Sequence, residues 1–581
     1  MISDGDMVIE WDVPITVDDG LTLRADVYRP TGPSAVPAIL SYGPYGKSLH
    51  FQDGQPYQWE RMSTDHPDTV AGSSNRFQSW ELVDPEKWVP HGYAVVRVDS
   101  RGAGQSPGVM NLLSPRETKD FADCIEWVAD QSWCTGRVGL NGISYYAMNA
   151  WQVASLQPPH LAAICLWEGA SDLYREMAFH GGIWNTFNDV WFPGRVVPRQ
   201  HGMGSRTYRS RLTGRSIAGP TLPDEMLAAS RVDFAAAFRS HPLYDSFWET
   251  VNPDLSKVDV PLLSAGNWGG AGLHLRGNVE GFLAAASTNK WLELHGLEHW
   301  THFYTDYGVE LQREFFDHFL RDVDNGWDQR PPVLLNVRKP GDEFEQRAEQ
   351  EWPLARTRWT PLYLDTDAGT LEDAAPAQAG TATYDPLGDG VTFLTAPLDG
   401  PTELTGPAVA TVYISSDSND ADIFVVLRAF TADLTEITFR GSNAPHAPLG
   451  LGWLRASHRE LDIERSTSHR PVHTHRATQE LTPGEVYRLD VEILPTSVIL
   501  PAGARIGVSI RGRDYVWPGA DGPSPVVQGH GATAGGGFTG VGPFRHTHPE
   551  DRPADTFGAA ITLHAGPEYP SHIVLPVIPD Q

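Results

Sequence analysis

Cysteine is scarce in this sequence: only Cys124, Cys134 and Cys165 occur among 581 residues. Three cysteines cannot build a disulfide framework, and a reducing compartment is the simplest interpretation. Long apolar runs are also lacking, since none approaches the roughly 20 residues that span a bilayer. The acidic first residues do not have the pattern of a signal peptide. These absences predict a cytoplasmic protein without a membrane-spanning segment.

Positive charge is the second deficit. Lys and Arg total 44 against 73 Asp and Glu, a formal net charge of −29. Nucleic-acid binding depends on cationic contacts to phosphate, and anionic membrane surfaces attract basic segments. We therefore expect neither a nucleic-acid nor a membrane partner. Hydrophobic residues make up 40% of the chain, enough for a large core, and roughly 150 residues per domain predicts three or four domains.

Strand and helix patterns alternate in the first 170 residues. Tyr93 to Asp99 is a nearly continuous β-branched run, typical of a strand buried on both faces. Thr118 to Asp130 has apolar residues at helical spacing, and Val138 to Asn141 and Ser144 to Leu156 follow as strand and helix. This alternation predicts a doubly wound, mostly parallel α/β sheet.

Two other sequence patterns follow the α/β segment. Residues 171–255 lose the sheet signal and contain helical pieces rich in aromatic residues and Arg, which predicts an inserted helical cap. After about residue 350, short strand-like segments alternate with Gly and Pro, which favours an antiparallel sandwich or jelly roll. The glycine-rich stretch Gly529 to Gly540 is predicted to be a loop. The predicted domains are the α/β domain in residues 1–170 and 256–345, the cap in 171–255 and the jelly roll in 346–581.

Ser144 is the strongest chemical signal. It lies in Asn-Gly-Ile-Ser-Tyr-Tyr-Ala, residues 141–147, between a predicted strand and a predicted helix. A serine on such a turn has the position of a nucleophile elbow. Gly142 permits close backbone approach, and the N-terminus of the following helix favours developing negative charge. The match to G-x-S-x-G is imperfect because Tyr146 replaces the second glycine. A helix N-cap is the alternative role for this serine.

These residues resemble the G-x-S-Y-x-G motif of the cocaine esterase and X-prolyl dipeptidyl-peptidase family of α/β-hydrolases, the CocE/NonD type. The resemblance covers nearly the whole chain and implies an α/β-hydrolase domain, a helical cap and a C-terminal jelly roll. Three further segments agree with the family in the same order, namely Asp99–Gly108 with D-x-R-G-x-G-x-S-x-G, Gly43–Lys47 with N-P-Y-x-K, and Gly452–Arg459 with the jelly roll.

The resemblance implies roles for several residues. Ser144 would attack an acyl carbon, while the Tyr45 hydroxyl and the Tyr145 backbone N–H would form the oxyanion hole. The family's general base is a His after the last core strand, which here is His299 in Gly-Leu-Glu-His-Trp-Thr-His. His302 is the competing candidate.

The triad acid departs from the family pattern. The family places an Asp after the strand that corresponds to Pro261–Ala265, but this chain has Gly269 there. Glu168 is our candidate for a relocated acid, because it ends an apolar strand near the same sheet edge and a buried carboxylate needs a partner. Asp172 and Glu298 are the alternatives.

The sequence predicts neither cofactor nor metal. It lacks a P-loop and a dinucleotide fingerprint, and its two His-x-His pairs have no cysteine or carboxylate pattern beside them. Trp167, Trp184, Trp191 and Trp268 lie near the predicted site or in the cap, and we expect them to line an apolar acyl pocket. Ordinary core packing is the alternative role for each of them.

The predicted function is a serine hydrolase that cleaves carboxylic esters, or amides, through an acyl-enzyme. Its partner would be a small-molecule ester or amide, and whether it forms a homo-oligomer stays open. One alternative is an X-Pro dipeptidyl-peptidase or α-amino-acid ester hydrolase. The other, suggested by the lost Asp, is a catalytically degenerate hydrolase that serves as a binding protein.

Overall fold

Alternating strands and helices begin the α/β domain in the computed structural model, which describes residues 2–517 and 539–579. The strands before the cap are β1 (Ile2–Asp4), β2 (Met7–Thr16), β3 (Thr22–Pro30), β4 (Val36–Gly43), β5 (Ala94–Asp99), β6 (Cys134–Ile143) and β7 (Leu161–Trp167). The helices between them are α1 (Phe51–Gly54), α2 (Pro56–Asp65), α3 (Pro85–Trp88), α4 (Pro115–Ala129) and α5 (Tyr145–Ala154).

The segment between β7 and the next sheet strand is made of short helices and one small ribbon. Two stretches of it, Leu173–Ala178 and Phe192–Val196, are π-helical, and β8 and β9 pair with each other. Its elements are β8 (Phe179–His180), β9 (Ile183–Trp184), α6 (Phe187–Trp191), α7 (Asp224–Ala229), α8 (Phe234–Arg239) and α9 (Ser246–Val251).

The sheet then resumes with β10 (Leu262–Asn267), β11 (Lys290–His295), β12 (Val333–Lys339) and β13 (Glu343–Glu349), and with helices α10 (Leu275–Ala284), α11 (Thr301–Tyr304) and α12 (Asp306–Arg321). Its strand order is β1-β2-β3-β5-β4-β6-β7-β10-β11-β12-β13, parallel from β5 to β12 and antiparallel at both edges. Strand β5 is buried along its whole length, as its unbroken β-branched run predicts. Because the central strands are parallel, the loops after β6, β7, β10 and β11 meet at one edge.

Helix α4 shows how local sequence sets these elements. The Ser114 side chain caps it by accepting the Glu117 N–H, and Pro115 occupies its first turn. Phe121, Ile125 and Val128 are buried against the sheet. The apolar spacing read from the sequence therefore defines the face of the helix that packs.

The C-terminal region is an antiparallel sandwich with its own apolar core. One sheet is built on β18, which pairs with β22, β24 and β25, and the other on β19, which pairs with β21 and β23. Most of the Gly529–Gly540 stretch lies outside the described residues. The strands described there are β14 (Arg358–Asp365), β15 (Thr370–Glu372), β16 (Gly380–Tyr384), β17 (Val391–Leu394), β18 (Thr402–Ser416), β19 (Asp422–Phe430), β20 (Glu436–Ile437), β21 (Gly450–Arg455), β22 (Tyr487–Leu500), β23 (Arg505–Arg511), β24 (Ile561–Ala565) and β25 (His572–Ile578). A short helix, Ala554–Phe557, precedes β24.

All three cysteines are buried free thiols. Within residues 2–517 and 539–579, no helix has the length and apolar character needed to cross a membrane.

Candidate active site

The turn between β6 and α5 holds Ser144 in a strained backbone conformation, with φ 60° and ψ −111°. A positive φ is costly for a residue with a Cβ, and such strain persists where surrounding contacts enforce it. The Ser144 N–H donates to the Trp167 carbonyl at 2.9 Å. A Cβ at Gly142 would lie 2.5 Å from the Tyr146 Cβ, so only glycine fits there. The turn thus presents Ser144 at the carboxyl edge of the sheet, as predicted.

Tyr146 occupies the position where the G-x-S-x-G pattern has its second glycine. Its ring lies against Gly43 at the end of β4, where a Cβ would come within 2.6 Å of the ring. The glycine at 43 therefore provides the space that a tyrosine at 146 needs, and the elbow keeps its geometry despite the imperfect motif.

His274 contacts the Ser144 hydroxyl, with Nε2 3.1 Å from Oγ. It immediately precedes α10 and is buried. Burial lowers the pKa of His274 well below its usual range, and the charge of His299 lowers that pKa further, so the ring is neutral at pH 7. Its Nδ1 has no hydrogen-bond partner among the described residues and lies 3.9 Å from the Glu168 carboxylate. A neutral imidazole here can accept the serine proton.

His299 contacts two carboxylates instead of Ser144. Its Nδ1 is 2.8 Å from Glu168 Oε2 and its Nε2 is 2.9 Å from Glu81 Oε1. Burial opposes protonation, but the charges and hydrogen bonds of Glu168 and Glu81 raise the pKa of His299 to about 10. With a carboxylate at each nitrogen, the ring is a cation that stacks on His274, the centroids 4.8 Å apart.

Glu168 lies where the sequence predicts it, at the end of β7 and in contact with His299. Asn267 donates to Oε1 at 3.2 Å and Ser442 donates to Oε2 at 3.0 Å. Burial would raise the pKa of Glu168, but the charge of His299 and the hydrogen bonds from His295 and His299 hold that pKa far below its usual range. The carboxylate is therefore ionised at neutral pH.

The position of the missing family acid is filled by a loop of the sandwich. A Cβ at Gly269 would lie 2.3 Å from Gly441 Cα and 2.7 Å from the Ser442 nitrogen. The Ser442 carbonyl also accepts the His299 N–H at 3.0 Å. The C-terminal domain thus excludes an acid at 269 and supports the one at 168.

This close approach predicts that Gly269→Ala destabilises the protein by about 1–3 kcal/mol, because backbone atoms must move to admit one methyl group. Gly400→Ala is the matched control, since a Cβ there meets nothing within 4 Å. Urea denaturation measures both variants. An unchanged midpoint for Gly269→Ala would refute the close packing.

The alternative acids have other partners. Asp172 accepts the N–H groups of Tyr174 and Arg175, both at 3.1 Å, and so caps a helical turn. Glu298 pairs with Arg61 at 2.8 Å. Among the described contacts, neither carboxylate touches a histidine of the site.

The remaining histidines of the β11 loop lie behind the site. His295 pairs with Glu293 at 2.6 Å and approaches Glu168 at 3.5 Å. His302 stacks on His295, with centroids 4.8 Å apart. His295 therefore supports the position of Glu168, and His302 is separated from Ser144 by this second layer.

We expect Glu168→Gln to lower kcat by about a hundredfold or more while the protein stays folded, because the amide keeps the shape but removes the charge that stabilises an imidazolium. Glu298→Gln is the matched control, a buried carboxylate in the neighbouring loop without a contact to either histidine. Ester turnover and thermal denaturation are measured for both. Near-native turnover in Glu168→Gln would eliminate Glu168 as the acid.

Tyr45 and Tyr145 flank the serine. The Tyr45 hydroxyl accepts the Trp191 indole N–H at 3.2 Å and lines the cavity that contains Ser144. Burial raises the pKa of Tyr45 well above its usual range, so it stays a neutral donor. The Tyr145 side chain points away to Glu117, at 2.6 Å, and leaves its backbone N–H in the first turn of α5.

The cavity beside Ser144 is lined by Trp191, one of the four predicted tryptophans, and by Trp80. The other three predicted tryptophans do not line it. Trp167 packs on Phe303 and His295, Trp184 donates to Asp189, and Trp268 donates to the Asn336 carbonyl. All three point into the protein core. The sequence places them near the site but does not determine which way they face.

The residues that sequence reasoning missed are His274, Glu81 and Trp80. His274 lies five residues after Gly269, in the segment where the acid was sought, and its proximity to the lost Asp was the only available signal. Glu168, His274 and His299 each place one potential ligand atom within 4.8 Å of the others, a spacing that could hold a metal ion. The prediction of a metal-free site stays a prediction.

Comparison with known proteins agrees with this geometry. The sequence matches the X-Pro dipeptidyl-peptidase (S15) family over residues 19–304 and the X-Pro dipeptidyl-peptidase C-terminal non-catalytic domain over residues 325–574. A CocE/NonD family hydrolase structure from Staphylococcus aureus superposes with a TM-score of 0.83 and 32% identity, over 98% of this chain and 94% of that one. The cocaine esterase of Rhodococcus sp. (strain MB1 Bresler) is 26% identical over 99% of both chains. A putative serine esterase of Mycobacterium bovis is 26% identical, over 86% of this chain and 90% of its own.

An α/β-hydrolase sheet with a serine on the elbow and a histidine against its hydroxyl defines a serine hydrolase. The chain belongs to the CocE/NonD family of hydrolases. The predicted family, the predicted α/β fold with a C-terminal β domain, and the predicted serine ester hydrolase function are confirmed.

Proposed function

We propose that this enzyme hydrolyses small carboxylic esters through an acyl-enzyme on Ser144, with His274 as the base in direct contact with the nucleophile. The observation that carries the proposal is the 3.1 Å contact between Ser144 Oγ and His274 Nε2 at the wall of a cavity that both residues line. His274 is neutral and has a free lone pair for the serine proton, whereas both nitrogens of His299 face carboxylates.

The reaction follows from these positions. The Ser144 oxygen bonds to the acyl carbon while its proton passes to His274 Nε2, and the developing oxyanion accepts hydrogen bonds from the Tyr45 hydroxyl and the Tyr145 N–H. The C–O bond to the alcohol then breaks, and the alcohol leaves with the proton from His274. Water repeats the sequence on the acyl-enzyme and releases the carboxylic acid and free Ser144.

Glu168 stabilises the charge that forms on His274. Its carboxylate lies 3.9 Å from His274 Nδ1, close enough for electrostatic stabilisation of an imidazolium in a buried site. His299 shares the same oxygen of Glu168 and holds it in place. Glu168 therefore takes the role of the family Asp, although it comes from a different strand.

His299 is the second candidate for the base, because its 2.8 Å hydrogen bond to Glu168 is the acid–histidine contact expected of a triad. In that arrangement its Nε2 must leave Glu81 and turn to Ser144. The two arrangements differ in the pH at which the base loses its proton, so the pH profile of kcat/KM distinguishes them.

Labelling and a substrate panel test the proposal. An organophosphonate probe should label native protein once, at Ser144, and the enzyme should hydrolyse short acyl esters faster than chromogenic X-Pro amides. Faster X-Pro cleavage would instead indicate the dipeptidyl-peptidase activity. Absence of both labelling and turnover in folded protein would favour a degenerate hydrolase that only binds.

We also propose a cytoplasmic location. The three cysteines of the chain are free, buried thiols, and this supports the proposal because disulfides are rare in proteins of a reducing compartment. The substrate is expected to be a small molecule, since the cavity beside Ser144 is walled by cap and sandwich residues such as Trp191 and Phe544.

A further inference from the structure

Two arginines of the cap line the cavity that contains Ser144. Arg195 lies in the π-helical turn Phe192–Val196, and Arg199 ends the 3₁₀ turn Val197–Arg199. Their relative exposures are 8% and 3%. Two buried guanidinium groups in one cavity require an explanation, because burying a charge is costly unless it is paired.

The protein itself provides only partial pairing. Arg195 Nη1 donates to the Gly54 carbonyl at 3.1 Å, and Arg199 Nη1 donates to the carbonyls of Arg195 at 2.7 Å and Gly194 at 3.5 Å. Arg199 also lies over the Tyr208 ring, 5.0 Å from its centroid. In the described part of the chain, Arg195 Nε and Nη2 and Arg199 Nε have no hydrogen-bond partner. The described hydrogen bonds of both guanidinium groups go to backbone carbonyls, and neither group forms a salt bridge with a described carboxylate.

Among the described residues, Glu81 is the carboxylate that lines this cavity. It pairs with His299 at 2.9 Å rather than with either arginine. Burial, together with the charge of Arg199, lowers the pKa of Arg195 to about 10. Both arginines remain cations at pH 7. The charge of Glu81 favours the protonated form of Arg195, but no carboxylate of the described residues is in salt-bridge contact with either guanidinium.

We infer that Arg195 and Arg199 form a subsite for an anionic group of the substrate, and that the enzyme prefers esters that carry a carboxylate at the end remote from the scissile bond. This inference rests on the proposed esterase function. Guanidinium groups suit carboxylates because their N–H donors match the two oxygens. The free Nε and Nη2 donors of Arg195 supply such a pair. The chain has a net charge of −29, so the protein as a whole does not attract anions. A buried cationic site would bind an anionic group only where that group reaches the two arginines.

A matched pair of esters tests the subsite. Mono-4-nitrophenyl adipate carries a terminal carboxylate, and its methyl ester is neutral with the same acyl chain. We expect native kcat/KM to be about tenfold or more higher for the anionic ester, mainly through a lower KM, since a bidentate charged contact is a strong one. Arg195→Gln and Arg199→Gln should each reduce this ratio by about tenfold, with the neutral ester changed less than about threefold.

Two further variants control for structure. Arg195→Lys retains the charge without the planar fork and should keep part of the preference. Arg209→Gln removes an exposed arginine of the same cap that donates to the Gly214 carbonyl and does not line the cavity, so the ratio should stay at its native value.

The outcomes separate this inference from the proposed function. Equal kcat/KM for the two esters in the native enzyme, or an unchanged preference in both glutamine variants, overturns the subsite while esterase activity remains. If the native protein neither hydrolyses the neutral ester nor reacts with the phosphonate probe, the proposed function is refuted instead. If a glutamine variant fails to fold, competitive inhibition of native and Arg195→Lys enzyme by free adipate decides: inhibition of neutral-ester hydrolysis by adipate supports the subsite, and its absence overturns it.

Discussion

Ser144→Ala is expected to lower kcat by about 10⁴-fold or more on every ester that the enzyme cleaves. The Ser144 hydroxyl forms the acyl-enzyme. Among the described hydrogen bonds of His274, no second hydroxyl is present that could replace it. KM should change little, because the methyl group retains the shape of the cavity wall. Alanine and serine both carry a Cβ, so the backbone strain at φ 60° is the same for either residue and the fold should be kept. Turnover and phosphonate labelling are measured together.

Ser155→Ala is the matched control for that substitution. Ser155 ends the same helix, α5, and its hydroxyl donates to the Gln152 carbonyl at 2.7 Å. Its loss should leave kcat within about twofold of native, since the change lies far from the elbow. Residual turnover in Ser144→Ala within about a hundredfold of native would show that another group is the nucleophile.

His274→Ala is expected to lower kcat by about 10³–10⁴-fold, because it removes the group that takes the serine proton. The pH profile of native kcat/KM identifies the base independently, since kcat/KM rises as pH increases through the pKa of the base in the free enzyme. The pKa of His274 lies below its usual range, so with His274 as base the rate is already maximal near pH 7.

With His299 as base the same profile would differ. Its pKa is about 10, so kcat/KM would keep rising between pH 7 and 10. Such a rise, together with near-native turnover in His274→Ala, would transfer the proton-accepting role to His299. A value of kcat/KM that is constant above pH 7 in the native enzyme, together with loss of turnover in His274→Ala, supports the proposed assignment.

His299 also makes a distinct prediction for stability. Its folded-state pKa is raised from 6.5 to about 10, so the stabilisation is complete below about pH 6.5 and is lost as pH rises toward 10. Denaturation midpoints of the native protein should therefore fall between pH 7 and 10. In His299→Gln this fall should be smaller. A buried ion pair that loses one member costs about 3–5 kcal/mol, so the variant is also less stable at neutral pH.

Local patterns predicted most of the framework. The apolar spacing of Phe121, Ile125 and Val128 located α4, and the β-branched run before Asp99 located β5. The turn at Ser144 followed from a strand, a glycine and a helix in succession. These features depend on residues a few positions apart, and backbone sterics and side-chain periodicity act over that range.

Glu168 was predicted from a longer argument. A carboxylate at the end of an apolar strand needs a partner, and neighbouring parallel strands end at the same edge of the sheet. That reasoning identified the residue but not its surroundings. Asn267 and Ser442, which hold the carboxylate, come from another strand and from another domain.

The sequence by itself determined the order of strands and helices, the elbow at Ser144 and the family to which the chain belongs. Only the tertiary structure decided that His274 meets the serine, that the sandwich loop at Gly441 displaces an acid from position 269, and that Arg195 and Arg199 face the cavity. The physical reason is distance along the chain. Ser144 and His274 are 130 residues apart, and side chains so far apart meet only because the packed sheet, cap and sandwich bring their loops together.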